Sequence, residues 1–383
     1  MGCQDAAAEL TWMPSDLHIA LAETEEEKRA VYRFRYRIYV EEMGKYRSVS
    51  DHTQRLFSEP EDARSRIFYA TENGEVVATA RSTWGGDAPL PQRMIEQYQL
   101  GPFLAEVPES AIAVGERGMV VPRLRGTDLF LRLIGASLRF ANEHRIQLCF
   151  GDCEPHLLNL YLGLGQRTYS KKNVNSAEAG YLIPIVFVPE DVAYLRRINS
   201  PLLEYVKDFG SDARIPPCVE RLTGAGTAVM SRRLVGSADY WGEVHGALSQ
   251  IEGTHPTALD GLTDEEAVRC LDKSNIIECR VGDRLLKKGG VARNLFVVLD
   301  GTVEVRDGDT PLAVFGPGDV FGEMAFLLER PRSQDVYAAT DGVRVLSLSE
   351  ATLRQLIKND PASAAHLLLN IAKMLCLRIL KAH

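Results

Sequence analysis

A chain of 383 residues, 45% apolar and 25% charged, has the composition of a globular protein. At about 100–200 residues per domain its length implies two or three domains. The formal net charge of −8 excludes a general nucleic-acid grip, which needs a basic footprint, but leaves room for a small basic patch around a phosphorylated ligand.

Glu23 to Tyr39 reads as the first helix, with an acidic first turn (Glu25, Glu26, Glu27) and then Val31, Phe34, Tyr36 and Ile38 among arginines. Arg66 to Thr71 and Val76 to Trp84 flank Glu72-Asn73-Gly74-Glu75, the signature of a hairpin with an Asn-Gly turn. Ala111 to Val121 is a strand, Asp128 to His144 a helix, Ile146 to Phe150 a buried strand, Pro155 to Leu164 a short helix and Gly180 to Val188 a late strand. Val192 to Gln250 reads as a mostly helical connector, and Ile251 to Pro256 as a linker. Asp264 to Leu271 is helical. Short strands punctuated by glycine then indicate a small β-barrel or jelly roll, closed by helices at Ser349 to Asn359 and Pro361 to Ala382. The expected fold is therefore α+β: a mixed sheet with flanking helices over 15–190, a helical extension over 191–257, and a barrel domain with helices over 258–383. No apolar run approaches the roughly 18–20 residues that cross a bilayer, and Met1 to Leu10 carries no secretion signal. Seven scattered cysteines without a CxxC pair suit reduced thiols in a cytoplasmic protein.

The richest chemistry lies in Phe321-Gly322-Glu323-Met324-Ala325, six residues, then Arg332-Ser333. A cyclic phosphate is a compact monoanion on a rigid ribose, and once buried it needs a fixed cation and oriented N–H donors. Arg332 can supply the charge, a glycine-led helical turn the amides, Glu323 an acceptor for the ribose 2′-hydroxyl, and Ser333 a further donor. These residues, with their spacing, resemble the phosphate-binding cassette of the cyclic-nucleotide-binding superfamily. Val281-Gly282-Asp283 and Leu295 to Gly301 resemble the barrel strands of its cAMP-receptor-like members. The resemblance implies a regulatory cyclic nucleotide, and Ser333, common in cAMP-binding bacterial members, implies cAMP. A C-terminal helix closes over the purine in that family. Leu367, Ile371, Leu375 and Ile379 make an apolar stripe that core packing explains as well as a lid or a homodimer seam does. The chain ends without a helix-turn-helix after the barrel, so DNA is not an expected partner.

In the N-terminal half, Met119-Val120-Val121-Pro122-Arg123-Leu124-Arg125-Gly126-Thr127-Asp128 is a strand, a basic loop and a helix start. Loop amides at a helix N-terminus beside Arg123 and Arg125 suit a pyrophosphate. The segment resembles the acyl-CoA loop of the GNAT acyltransferases, with Arg123 and Gly126 on the pattern and Asp128 departing from it where a small residue is usual. Met119, Val121, Arg123, Arg125, Gly126 and Thr127 are accordingly the expected donor site. An acyl carrier protein, with one phosphate, would tolerate Asp128 better than CoA. Cys149 to His156 and Leu160 to Gly165 resemble the next GNAT strand and helix, and the likeness implies that Tyr161 protonates the departing thiolate. Phe34 to Gly44 and Ala78-Thr79-Ala80-Arg81 resemble long-chain N-acyl amino acid synthases and, more distantly, autoinducer synthases.

Acyl transfer to an amine needs a base, an oxyanion donor and an acid. Glu116 is the candidate base, an ion pair with Arg117 or Arg81 being its structural alternative. A backbone N–H near Met119 or Val120 is the candidate oxyanion donor. His52, His144 and His156 show no partner spacing, and no metal motif is present. The expected activity is a cyclic-nucleotide-regulated N-acyltransferase moving a fatty acyl group from acyl-CoA or acyl carrier protein to a small amine such as an amino acid. A cAMP-regulated protein lysine acetyltransferase and a non-catalytic cAMP-sensing binding protein are the alternatives.

Overall fold

The computed structural model describes residues 17–224, 226–249, 256–328 and 330–381; the linker expected at Ile251 to Pro256 lies, but for Pro256, outside them. Strand β1 (Leu17–Leu21) opens a sheet with β2 (Arg66–Glu72), β3 (Glu75–Trp84), β4 (Ile112–Val120), β5 (Leu148–Cys153), β6 (Arg167–Thr168), β7 (Val174–Ser176) and β8 (Gly180–Phe187). Its order is β1-β2-β3-β4-β5-β8-β6, with β7 pairing β8. The hairpin joining β2 and β3 turns through Asn73 at φ 51 and Gly74 at φ 79, the left-handed pair that a two-residue hairpin requires.

Alternation along the strands feeds two apolar layers. Ile67 and Tyr69 pack with Val31, Phe34 and Ile38 on one face. Phe68 and Ala70 pack with Leu129 and Leu133 of the helix Leu129–Glu143 on the other. The first helix is shorter than its pattern suggests. It runs Glu25–Arg35 behind a Thr24–Glu27 capping box, and Tyr36–Glu42 then widens into a π-helix. Such widened turns often occur at functional sites.

Strand β4 pairs in parallel with β5 only from Ile112↔Leu148 to Val114↔Phe150. Opposite it, Thr79↔Met119 and Arg81↔Glu116 set two residues of β4, Arg117 and Gly118, against Ala80 of β3. That bulge holds Arg117 at φ 57 and re-aims the side chains around it. The strands thus part just where the sequence places Glu116.

The barrel has two sheets. Strands β9 (Val229–Ser231), β10 (Asn275–Cys279), β12 (Asn294–Asp300), β15 (Val320–Phe321) and β17 (Val343–Ser349) form one, in the order β15-β12-β17-β10-β9. Strands β11 (Arg284–Leu286), β13 (Val303–Asp307), β14 (Thr310–Phe315) and β16 (Asp335–Ala338) form the other, in the order β11-β16-β13-β14. The connector is less helical than expected. Val229–Ser231 is a strand paired antiparallel with β10, and the helix Ser237–Ser249 sends Tyr240, Val244 and Leu248 into the barrel core.

The chain gathers into two compact units. One takes residues 17–152, 163–167 and 185–221; the other takes 153–162, 168–184 and 222–381. The final helix, Pro361–Lys381, buries Ala364, Leu367, Ile371 and Met374 in the barrel core, whereas Ile379 is 60% exposed. Four-residue steps drift by about 40° each against a 3.6-residue turn, so the stripe from Leu367 leaves the core before it reaches Ile379. By length and composition Pro361–Leu380 is apolar enough to cross a membrane, contrary to the expectation from the sequence, but a third of it is buried in the protein.

Candidate functional site

The barrel brings Phe321, Gly322, Glu323, Met324, Ala325, Arg332 and Ser333 together around one cavity of about 190 Å³, with Leu286, Val305, Phe315 and Val336 as apolar wall. Gly322 sits at φ +80, and a Cβ there would come within 2.8 Å of Arg332 Nη1 and 2.9 Å of the Asn294 carbonyl. Only glycine allows that approach. Phe321 stacks on Phe296 at 5.1 Å and anchors the turn from below. Glu323 opens the short helix Glu323–Leu328.

Arg332 is 5% exposed. Its Nη1 donates to the Gly322 carbonyl at 2.7 Å and its Nη2 to the Asn294 carbonyl at 2.8 Å, while Nε has no hydrogen-bond partner. Its backbone is fixed on both sides by Gly289 and Gly290, at 2.8 Å each. Burial pulls its pKa down to about 10, against the opposing pull of Glu323 and Glu154. No carboxylate forms an ion pair with it among the described residues. A buried cation so held is built to receive an anion. Sequence reasoning missed Arg378 of the final helix, which lines the same cavity. It pairs with Glu323 Oε1 at 3.2 Å, donates to the Val320 carbonyl and lies 4.2 Å over the Phe315 ring. Ser333 is exposed, with its Oγ 3.9 Å from Met324 Sδ.

In the other unit Glu116 lies in a buried charge cluster. Arg81 Nη2 donates to Glu116 Oε2 at 2.6 Å, and Arg81 Nη1 reaches Glu59 at 3.0 Å and Asp62 at 3.1 Å. Arg35, fully buried, donates to Asp62 at 2.7 Å. Arg117 turns away from Glu116 and donates to Glu59 at 2.6 Å and to the Tyr46 hydroxyl at 3.0 Å. Its guanidinium lies 4.8 Å over the Tyr46 ring. Of the two pairings considered for Glu116, Arg81 is the one formed. Although burial alone would raise Glu59, Arg117 holds it at about 2. Burial would likewise lower Arg81, but Glu116 and Glu59 raise it.

The Tyr98 hydroxyl stands 3.1 Å from Glu116 Oε1 and 3.1 Å from Asp152 Oδ2. Burial, then the charge of Glu116, push Asp152 up to about 6. Three guanidiniums (Arg35, Arg81, Arg117) thus face four carboxylates (Glu59, Asp62, Glu116, Asp152), one negative charge in excess. The cluster accommodates one more proton or a small cation such as an ammonium group. Glu59, Asp62, Tyr98 and Asp152 escaped the sequence reading because, the close pair Glu59 and Asp62 apart, they lie 36 and 54 positions from one another along the chain.

The expected donor loop is a 3-10 turn at Pro122–Leu124, with Gly126 at φ +86 before the helix Leu129–Glu143. Met119 and Val120 pair with Thr79 and Ala78 of β3, and the Val121 amide donates to the Val77 carbonyl at 2.8 Å. Thr127 Oγ1 donates to the Leu124 carbonyl at 2.8 Å. Arg123 pairs with Glu72 and Arg125 with Glu42, the latter at 2.7 Å. The Asp128 carboxylate binds Arg132 at 3.0 Å rather than capping the helix. Tyr161 lies in the helix Leu158–Leu164, in the unit that contains the barrel.

Comparison with known proteins gives one family match, the cyclic nucleotide-binding domain, over residues 276–360. The chain is similar to the cAMP-dependent protein kinase type II regulatory subunit of Drosophila melanogaster, 32% identical over 80 residues, 20% of this chain and 21% of that protein. It is also similar to glutaminase 2 of Bradyrhizobium diazoefficiens, 33% identical over 126 residues, 33% of this chain and 20% of that protein. The chain therefore spans about a fifth of the length of these curated relatives. Among solved structures, a CoA-dependent acyl-homoserine lactone synthase aligns at 19% identity and a TM-score of 0.38, covering 54% of this chain and 98% of that one. Both the family match and the cavity built around Arg332 fall in the barrel, and residues 276–360 are a cyclic nucleotide-binding domain.

Proposed function

We propose that the protein is a cytoplasmic N-acyltransferase governed by cAMP, moving a fatty acyl group from acyl-CoA or acyl carrier protein to a small amine such as an amino acid. The observation that carries the acyltransferase half is Glu116. It sits beside the Arg117–Gly118 bulge, where β4 parts from β5, in a cluster one negative charge in excess. An ammonium acceptor completes that charge, Glu116 takes its proton, and the parted strands leave room for the thioester carbonyl. Arg123, Arg125 and the Gly126 turn hold the donor phosphate, and Tyr161 returns a proton to the leaving thiolate. In the barrel, Arg332 takes the cyclic phosphate and Glu323 the 2′-hydroxyl.

One observation favours the non-catalytic sensor instead. Arg123 and Arg125 already bond to Glu72 and Glu42, so a donor phosphate must displace carboxylates. Thiol release from acyl-CoA donors of graded chain length, with amino acids as acceptors and with or without cAMP, separates the readings. Turnover of long-chain donors that responds to cAMP is the expected result. Acetyl-only use with protein acceptors would indicate a lysine acetyltransferase, and no turnover the sensor.

A further inference from the structure

Glu116 can accept a proton, but nothing about it explains where the proton goes. Its side chain is 6% exposed and held by Arg81, which is itself fully buried. A base so little open to solvent sheds its proton slowly unless a neighbour carries it on. Tyr98 caps the helix Gln92–Gln97 and is 1% exposed. Its hydroxyl has a single proton yet lies at hydrogen-bond distance from two carboxylates, Glu116 and Asp152. Asp152, near the end of β5, keeps partial exposure to solvent. Glu116 and Arg117 face it from β4, Tyr98 and Gln97 from the helix end, and Tyr46 more distantly. Gln97 Nε2 donates to the same Oδ2 at 3.3 Å, and no guanidinium forms an ion pair with Asp152 among the described residues.

We propose that Glu116, Tyr98 and Asp152 form a proton relay in which Asp152 is the terminus that hands the acceptor's proton to solvent. The proposal rests on the acyltransferase reading of Glu116. The ammonium N–H bond breaks and its proton moves to Glu116. Glu116 passes a proton to the Tyr98 oxygen as the phenolic proton moves to Asp152. The free amine then attacks the thioester carbonyl, the second amine proton leaves with the thiol, and Asp152 releases its proton to water. Tyr98 never becomes an anion in this sequence, in keeping with the upward push that burial and the two carboxylates give its phenol. Asp152 is suited to the end of the chain because it holds a proton more readily than an ordinary aspartate and still touches solvent.

The test uses the full chain, palmitoyl-CoA with a mixture of amino acids, and the variants Asp152→Asn and Tyr98→Phe. Wild-type kcat/KM should fall as pH drops through about 6. Each variant should lose about 10²-fold in kcat with little change in donor KM, and should lose that inflection. A residue that merely supports the fold would lower thermal stability and leave the inflection in place, and an unchanged inflection in Asp152→Asn overturns the relay. Infrared titration of the same proteins keeps this result distinct from failure of the acyltransferase reading. If the wild type turns over no donor, that reading fails. A protonated-carboxyl band titrating near pH 6, absent in Asp152→Asn and displaced in Tyr98→Phe, still supports the shared proton. Absence of the band from the wild type overturns it.

Discussion

A buried guanidinium without a carboxylate costs stability that only a bound anion returns, and Arg332 is held in that condition by two carbonyls and a glycine turn. Truncating one partner of a desolvated charge pair costs about 2–5 kcal/mol, so Arg332→Ala should weaken cAMP binding by at least ~30-fold in calorimetry. An unchanged affinity would remove the phosphate from this site. The phosphate cassette was legible in the sequence because its residues lie within thirteen positions, Phe321 to Ser333, whereas Arg378, 45 positions beyond, was not. The Glu116 cluster was legible only as far as Glu116 with Arg81 or Arg117 beside it, since Glu59, Asp62, Tyr98 and Asp152 join it only through the fold. The two sites of charge there also respond oppositely to acid. Glu59, held at about 2 by Arg117 against its burial, contributes stability above the ordinary carboxylate range near 4.5, and that contribution is lost as pH falls towards 2. Asp152, raised to about 6, costs stability above that pH, and the cost disappears as pH falls towards 4. Asp152→Asn should therefore be more stable than the wild type at pH 8 in thermal unfolding, by at most about 3 kcal/mol. The difference should close by pH 4, and a difference independent of pH would show that Asp152 is not raised.

At the level of whole elements, the final helix shows what periodicity can and cannot tell. The repeat of Leu367, Ile371, Leu375 and Ile379 located the helix, but its stripe drifts off the core beyond Leu375, and Arg378 rather than Ile379 turns inward there. Leu367→Ala should cost about 2–5 kcal/mol, whereas Ile379→Ala should stay within about 0.5 kcal/mol, as measured by urea denaturation. Equal effects would mean that the outer half is also packed. What holds that outer half is polar: Arg378 bonds to Glu323 and the Val320 carbonyl. Arg378→Ala should raise amide hydrogen exchange over 374–380 and leave 364–371 protected. Other elements were legible in proportion to how local their cause is. The β2–β3 hairpin follows from Asn73-Gly74 alone. Strand β9 owes its form to pairing with β10, whose partner residues lie 44 to 48 positions along the chain (Ser231↔Asn275 to Val229↔Ile277), and its own sequence reads as connector. The π-helix at Tyr36–Glu42 likewise answers to no local breaker, since Phe34 to Glu42 continues the helical pattern without glycine or proline.

For the molecule as a whole, the path of the chain matters as much as its sites. It passes from one compact unit to the other after residues 152, 162, 167, 184 and 221. The first passage comes directly after Asp152, and the segment that follows, 153–162, carries Tyr161. Within the barrel-containing unit that segment is tied down, with Asn159 donating to the Lys273 carbonyl. Residues 168–184 are tied as well. Asn175 donates to Asp283 at 2.7 Å and Lys287 to the Ala177 carbonyl at 2.7 Å. Lys287 lies three positions before Gly290, whose carbonyl accepts the Arg332 backbone N–H. A phosphate that draws on Arg332 therefore acts on a frame to which 153–162 and 168–184 are bonded. Coupling should follow, and linkage makes it reciprocal: if cAMP changes donor affinity, donor changes cAMP affinity by the same factor, commonly about 5–150-fold. Calorimetry of cAMP with and without a non-hydrolysable palmitoyl-CoA analogue measures that factor. Asn175→Ala and Lys287→Ala, both outside the Glu116 cluster and the phosphate cassette, should bring it towards one while leaving cAMP affinity in the absence of donor little changed. Equal affinities in the wild type, together with turnover indifferent to cAMP, would mean that the bonds tying 153–162 and 168–184 to the barrel transmit nothing.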